Sequence, residues 1–227
     1  MVTVNVDGDQ TLVVACSDGA GSASHSHIGS QRACDSIVQS VTEYLTAGAK
    51  ISAISREIAM AWYGEAQAKI YAEAKQLEVA PRELACTMLL AIIGAEDAIF
   101  SQVGDGAIVV HPPDSFRAVF WPQSGEYANT TNFITGATLA DDLDFEQHSG
   151  RIESIAVFTD GLERLILRFQ DRAVHAPFLT QLFSQLRNST DSELLFGRLR
   201  TFLESGAVNE RTDDDKTLIL ASRAKSA

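Results

Sequence analysis

Four aspartate-glycine pairs punctuate this chain of 227 residues: Asp7-Gly8, Asp18-Gly19, Asp105-Gly106 and Asp160-Gly161. The first lies between short alternating segments and reads as a plain hairpin turn. The other three each close a strongly apolar run, LVVACSDG, AIFSQVGDG and IAVFTDG. A further acidic stretch, DDDKT at 213–217, immediately precedes the last apolar run. Any one Asp-Gly can be a turn, because both residues favour turns. Carboxylates at the ends of several buried strands are a different matter. If those ends converge, three or four negative charges share one small volume, repel one another and take up protons unless something neutralises them. A hard divalent cation does so, since Mg²⁺ and Mn²⁺ take oxygen ligands. Glycine after each aspartate lets the backbone approach closely and offer its own carbonyl.

The elements that must position these carboxylates follow from hydrophobic periodicity. A first strand is predicted at 11–16. Ala33, Ile37, Val41 and Leu45 recur at four-residue spacing and predict a helix that Gly48 stops. Ile54, Ile58, Trp62, Ala66, Ile70 and Leu77 predict a second, longer helix ending before Pro81. From Cys86 the pattern changes to TMLLAIIG, DAIFSQVGDG, AIVVHP and FRAVFWP, separated by short turn signals. That is an antiparallel meander, because parallel neighbours need crossovers of a dozen residues or more. Further strands are predicted near 132–136, 145–149 and 155–159, helices near 177–186 and 191–203, and a last strand in KTLILAS. Helices, a run of strands, then helices and a strand predict an α+β layered fold. No repeat or linker divides the chain, so residues 1–227 read as a single domain.

Composition narrows the partners. A formal net charge of −12 and a pI near 4.8 argue against nucleic acid and anionic membrane surfaces, both of which select clustered Lys and Arg. The apolar runs fall well short of the roughly 20 residues that span a bilayer, and MVTVNVDGDQ lacks the basic-then-apolar order of a signal peptide. Three cysteines, Cys16, Cys34 and Cys86, show no CxxC spacing and read as reduced, mostly buried thiols. A cytoplasmic protein with no membrane or nucleic-acid partner is the expectation.

The ordered set SDGAGSA, GDG, FTDGL and DDKT resembles the metal-dependent protein phosphatases of type 2C. It is most similar to a bacterial branch with DGAGSA after the first strand, a stretch like GEYANTTNF at 125–133, and an approach to the central strands like ELACTMLLA at 83–91. The resemblance runs from about residue 11 to residue 221. It implies two packed antiparallel β-sheets flanked by helices, a four-layer sandwich. It also implies Mn²⁺ or Mg²⁺, two ions with a weaker third. Asp18 would bridge two ions with Gly19 lending its carbonyl, and Asp160 and Asp214 would bind the second. Asp215, adjacent to Asp214, would support that ligand, and Asp105, with Asp160, would hold the third ion. Asp18, Asp160 and Asp214 would thus carry catalysis. A metal-activated water would hydrolyse phosphoserine or phosphothreonine of a phosphorylated protein that a Ser/Thr kinase system supplies. The family's usual first strand, with its acidic ligand and phosphate-binding arginine, has no counterpart in the residues ahead of 11, so the chain is expected to be short at its N-terminus. A phosphatase-like binding or regulatory module with weak or no turnover is the alternative. Arg164 and Arg168, on an expected helix after Asp160, and His25 and His27, at a helix start, read as solvated residues.

Overall fold

Every apolar run that ends on an aspartate is a strand in the computed structural model, which describes residues 1–6, 9–112, 114–123 and 131–224. The chain begins with strands β1 (Val2–Val6) and β2 (Asp9–Cys16), then helices α1 (Ser26–Thr46) and α2 (Arg56–Gln76). Strands β3 (Met88–Ile93), β4 (Asp97–Val103), β5 (Ala107–His111) and β6 (Arg117–Ala118) follow. After the short helix α3 (Leu139–Asp142) come β7 (Asp144–Ser149) and β8 (Ser154–Phe158), then α4 (Glu163–Ile166). Two short strands, β9 (Leu167–Arg168) and β10 (Ala173–Val174), lead to α5 (Ala176–Asn188), α6 (Ser192–Leu203), α7 (Gly206–Asn209) and β11 (Leu218–Ser222).

The strands form a five-stranded sheet in the order β1-β2-β3-β4-β7 and a four-stranded sheet in the order β11-β8-β5-β6, with β9 and β10 paired apart. All the pairings are antiparallel. Alternation along the strands gives the larger sheet two buried faces. On β2, Val13 and Ala15 join Ile37, Val41, Leu45 and Trp62 of α1 and α2. Val14 and Cys16 instead meet Phe100, Ile108 and Val157 between the sheets. The far face of the smaller sheet, through Val109 and Phe158, packs on Leu179 and Phe183 of α5 and Val208 of α7. The order helix, sheet, sheet, helix is the expected four-layer α+β sandwich. Each fully buried aliphatic or aromatic side chain contributes on the order of 1.5–3 kcal/mol.

The helices begin where side chains satisfy free amides. Ser55 Oγ accepts the Ile58 N–H at the start of α2, and Asp191 Oδ1 accepts the Leu194 N–H at 2.9 Å at the start of α6. Five sequence expectations shift. The meander expected from Cys86 onward is split, because the chain crosses between sheets after β4: β4 pairs with β7, and β5 pairs with β8. Residues 132–136 are not a strand but a loop and turn, in which Ile134 is buried and its N–H bonds the Cys86 carbonyl; apolar residues there fill a gap between elements. The run at 116–122 pairs only through Arg117 and Ala118. Ile54 and Leu77 flank α2 instead of lying inside it. Arg168 is on the short strand β9, not a helix.

Strand register decides where the aspartates go. Cys16 pairs with Leu89, and Met88 with Val103, so β2 and β4 end at the same edge of the larger sheet. Phe158 pairs with both Ala107 and Leu218, so β8 ends where β5 and β11 begin. Asp105 lies in the link from β4 to β5, which joins those two edges. Asp18, Asp105, Asp160 and Asp214 therefore gather at one end of the sandwich. The pairing Val6↔Asp9 flanks the expected hairpin; Asp7-Gly8 itself lies outside the described residues.

Candidate active site

Asp18 sits two residues beyond β2, held from both sides by Thr87. The Asp18 N–H donates to Thr87 Oγ1 at 3.0 Å, and the Thr87 N–H donates to the Asp18 carbonyl at 2.8 Å. Ser17 Oγ donates to the Thr87 carbonyl at 2.6 Å, and the Ala20 N–H to the Ala85 carbonyl at 2.9 Å. These bonds engage the residues on either side of Gly19, which bridges to Cys86, and leave the Gly19 carbonyl outside the pair. A methyl group on Gly19 would stand 2.6 Å from the Ser26 side chain, so the small residue after Asp18 makes room for the start of α1.

Asp105 is fixed by a different set. Gln102 donates to the carbonyls of Gly104 and Gly106, both at 3.0 Å, clamping the loop from within. Gly104 takes φ +113°, a left-handed conformation that glycine allows. Thr131 Oγ1 donates to Asp105 Oδ2 at 2.5 Å.

Asp160 opens the turn after β8, with its Oδ1 accepting the Gly161 N–H at 2.8 Å. Thr159 ties this turn to the segment before β11: its N–H donates to the Thr217 carbonyl, and the Thr217 N–H to Thr159 Oγ1 at 3.1 Å. A methyl on Gly161 would stand 2.3 Å from the Asp215 carbonyl. Only glycine lets the two acidic segments touch. Asp214 and Asp215 are exposed, and the Asp215 N–H donates to Asp214 Oδ1 at 2.9 Å.

The carboxylates feel one another. Asp160 is pushed up to about 7, first by burial and then by the charges of Asp105, Asp214 and Asp18; only the Gly161 N–H opposes this. Asp18 is also raised, mainly by burial, with Asp214 and Asp105 adding repulsion, while a hydrogen bond from the Asp160 side chain works the other way. Glu163 is raised by burial and by Asp105, against the pull of Arg164. Among the described residues no three His, Cys, Asp or Glu side chains stand together as an ion-enclosing group. Coordination demands oxygens within roughly 2.0–2.1 Å of a Mg²⁺ ion, whereas repulsion between carboxylates reaches much further, to a Debye length of about 10 Å. The four aspartates meet the second condition. Their hard oxygen donors and unneutralised repulsion suit a divalent cation.

Three contributors were hidden in the sequence. Thr87 and Thr131 lie in the stretches ELACTMLLA and GEYANTTNF, which carry the resemblance but assign them no role of their own, and Glu163 follows Asp160 in DGLE with none either. His25 Nδ1 lies 2.8 Å from Ser24 Oγ, and His27 is exposed. Arg164 is exposed, as is Arg168, which pairs with Asp171 at 2.8 Å. The thiols of Cys16 and Cys86 are pushed up to about 12 and that of Cys34 to about 11, in each case chiefly by burial.

Comparison with known proteins finds relatives of the chain in sequence and in fold. The sequence profile of protein phosphatase 2C matches residues 2–204. Serine/threonine-protein phosphatase 3 of Escherichia coli (strain K12) is 36% identical over 217 residues, covering 95% of this chain and 85% of the relative. The serine/threonine phosphatase Stp1 from Staphylococcus aureus shares the fold at TM-score 0.58 and 15% identity, over 98% of this chain and 87% of that one. The S. agalactiae serine/threonine phosphatase does so at TM-score 0.56 and 15% identity, over 98% and 91%.

Proposed function

The chain belongs to the protein phosphatase 2C family and is a protein phosphatase of that family; we propose that it releases phosphate from phosphoserine and phosphothreonine with Mn²⁺ or Mg²⁺ held at the convergent aspartates. In this reading residues 1–227 act as one domain. Asp18, with the Gly19 carbonyl beside it, would help hold two ions, Asp160 and Asp214 would hold the second, and Asp105 with Asp160 would hold a weaker third. The observation that carries the reading is the convergence of Asp18, Asp105, Asp160 and Asp214 at one end of the sandwich, where burial first and then the charges of the other three raise Asp160 to about 7. Bound ions would act as Lewis acids, neutralising the phosphate and lowering the pKa of a water.

The chain's own residues set the rest. Thr87 fixes the backbone of Asp18 on the rim of the larger sheet, Thr131 orients Asp105, and Thr159 locks the Asp160 turn against the segment that carries Asp214. Water supplies the new P–O bond, and the serine or threonine oxygen leaves with a proton. A cysteine nucleophile does not enter: the thiols are protonated at neutral pH, and none begins a CxxxxxR phosphate loop. The substrates are phosphoproteins made by a Ser/Thr kinase, and the setting is the cytoplasm. No described helix is long and apolar enough to cross a membrane.

Phosphate release from a phosphothreonine peptide, followed through a Mn²⁺ titration beside Asp160→Asn, tests this. Release should depend on Mn²⁺ and fall at least tenfold in the variant. Equal rates in the two proteins contradict the assignment. No release at any Mn²⁺ concentration, with metal bound, gives the site to a binding module.

A further inference from the structure

Beside the aspartates lies a cavity of about 620 Å³ whose walls include Ser22, Arg82, Glu83, Thr131, Asn132 and Asp142. That volume is in the range of ligand-binding clefts, roughly 300–1,000 Å³. It does not contain the aspartates but adjoins them: Thr131, in its wall, is the residue that donates to Asp105. Among its lining residues Arg82 is the single cation.

The two acids in the wall are already engaged. Asp142 Oδ2 accepts Thr138 Oγ1 at 2.7 Å, and Glu83 Oε2 accepts both the N–H and the hydroxyl of Ser24, at 3.2 and 2.9 Å. Arg82 is held more loosely: its side chain is 85% exposed, and its Nε pairs with Glu83 Oε1 at 3.6 Å, longer than a hydrogen bond. The backbone under it is fixed. The turn Pro81–Leu84 is stitched to the loop after Gly19 by His25 N–H to the Glu83 carbonyl at 2.8 Å and by Ala20 N–H to the Ala85 carbonyl at 2.9 Å. An exposed guanidinium in one loose ion pair, on a rigid ledge, keeps N–H donors for an anion.

We propose that Arg82 is a specificity-determining residue that binds an acidic side chain flanking the phosphorylated residue of the substrate, whose chain runs along this cavity. The inference rests on the phosphatase reading of the adjoining site. Distance sets which flanking position is read. Arg82 is five residues before Thr87, a separation of at most roughly 17 Å, and the turn at Pro81–Leu84 shortens it. An extended peptide covers about 7–14 Å in two to four residues. The acidic residue therefore lies within about four positions of the phosphothreonine.

The test compares a phosphothreonine peptide carrying Glu three residues to either side with the same peptide carrying Gln. Wild type, Arg82→Ala and Arg82→Lys are assayed with Mn²⁺ for phosphate release, and for affinity by fluorescence polarisation of the labelled peptides. Wild type should favour the Glu peptide about three- to tenfold in kcat/KM, mostly through KM, and the preference should shrink in 0.5 M NaCl. Arg82→Ala should bring the ratio close to one, and Arg82→Lys should restore part of it. An undiminished preference in Arg82→Ala, or an equal loss on both peptides, overturns the proposal. Polarisation keeps it testable without turnover. A tighter Arg82-dependent grip on the Glu peptide with no hydrolysis upholds the recognition site and sinks the phosphatase reading, while equal affinity for both peptides overturns the recognition site.

Discussion

Replacing Asp160 by Asn should make the metal-free protein more stable at pH 8. Asp160 keeps its proton to about 7 in the folded chain, against about 3.9 in the unfolded one. Between those values the folded state binds a proton that the unfolded state does not, so stability falls as pH rises from about 4 to about 7. At 1.36 kcal/mol for each pH unit the whole gap is worth roughly 4 kcal/mol. The carboxyl is only half-buried, and solvent screening reduces the figure to about 1–2 kcal/mol. Asn removes the charge and keeps an Oδ1 acceptor for the Gly161 N–H, so it recovers most of that loss. For a chain of this size 1 kcal/mol moves Tm by about 2–4 °C, giving a rise of roughly 2–8 °C. Thermal melts in EDTA, followed by circular dichroism at pH 8 and pH 4.5, provide the assay. The variant should exceed wild type at pH 8 and match it at pH 4.5, where wild-type Asp160 is protonated. Mn²⁺ should reverse the order, because wild type binds it and gains stability by mass action. A variant no more stable than wild type in EDTA at pH 8 refutes the combined burial and repulsion assigned to Asp160.

Gly161→Ala should lower Tm and weaken the Mn²⁺ response together, because the new methyl at 2.3 Å from the Asp215 carbonyl forces apart the segments bearing Asp160 and Asp214; overpacking of this kind costs about 1–3 kcal/mol. An unchanged melt would mean that the two segments are free to separate. In native protein at pH 8 the buried Cys16 and Cys86, with thiols pushed up to about 12, should resist alkylation by iodoacetamide and label only in denaturant. Rapid labelling of Cys16 or Cys86 in the native state, read by mass spectrometry, contradicts their burial.

The strands that carry Asp18, Asp105 and Asp160 were legible because both faces of each are buried, which writes a continuous apolar run that stops where the chain leaves the sheet. The helices α1 and α2 were legible from one apolar stripe each. The loop at 132–136 was not: Ile134 is buried by a tertiary contact to the Cys86 segment, and burial without pairing looks like a strand in one dimension. Thr87 and Thr131 were invisible for another reason. Thr87 acts through two hydrogen bonds to Asp18 and Thr131 through one to Asp105, each far away in sequence, and nothing local marks a threonine for that task. The convergence itself was an inference from four strand ends, and only register, Cys16 on Leu89 and Phe158 on Ala107, made it geometry.

The central claim is that these aspartates jointly hold divalent cations, and counting Mn²⁺ ions tests it most directly. Electron paramagnetic resonance of free Mn²⁺, titrated with the protein at pH 8, should report two ions bound to wild type. Asp18→Ala should weaken both by at least tenfold, since that carboxylate is assigned to both, and Asp214→Ala should weaken one. Circular dichroism should show each variant folded, because the backbone of Asp18 is held by Thr87 and Asp214 is exposed. Wild-type stoichiometry and affinity retained in folded Asp18→Ala would contradict the account.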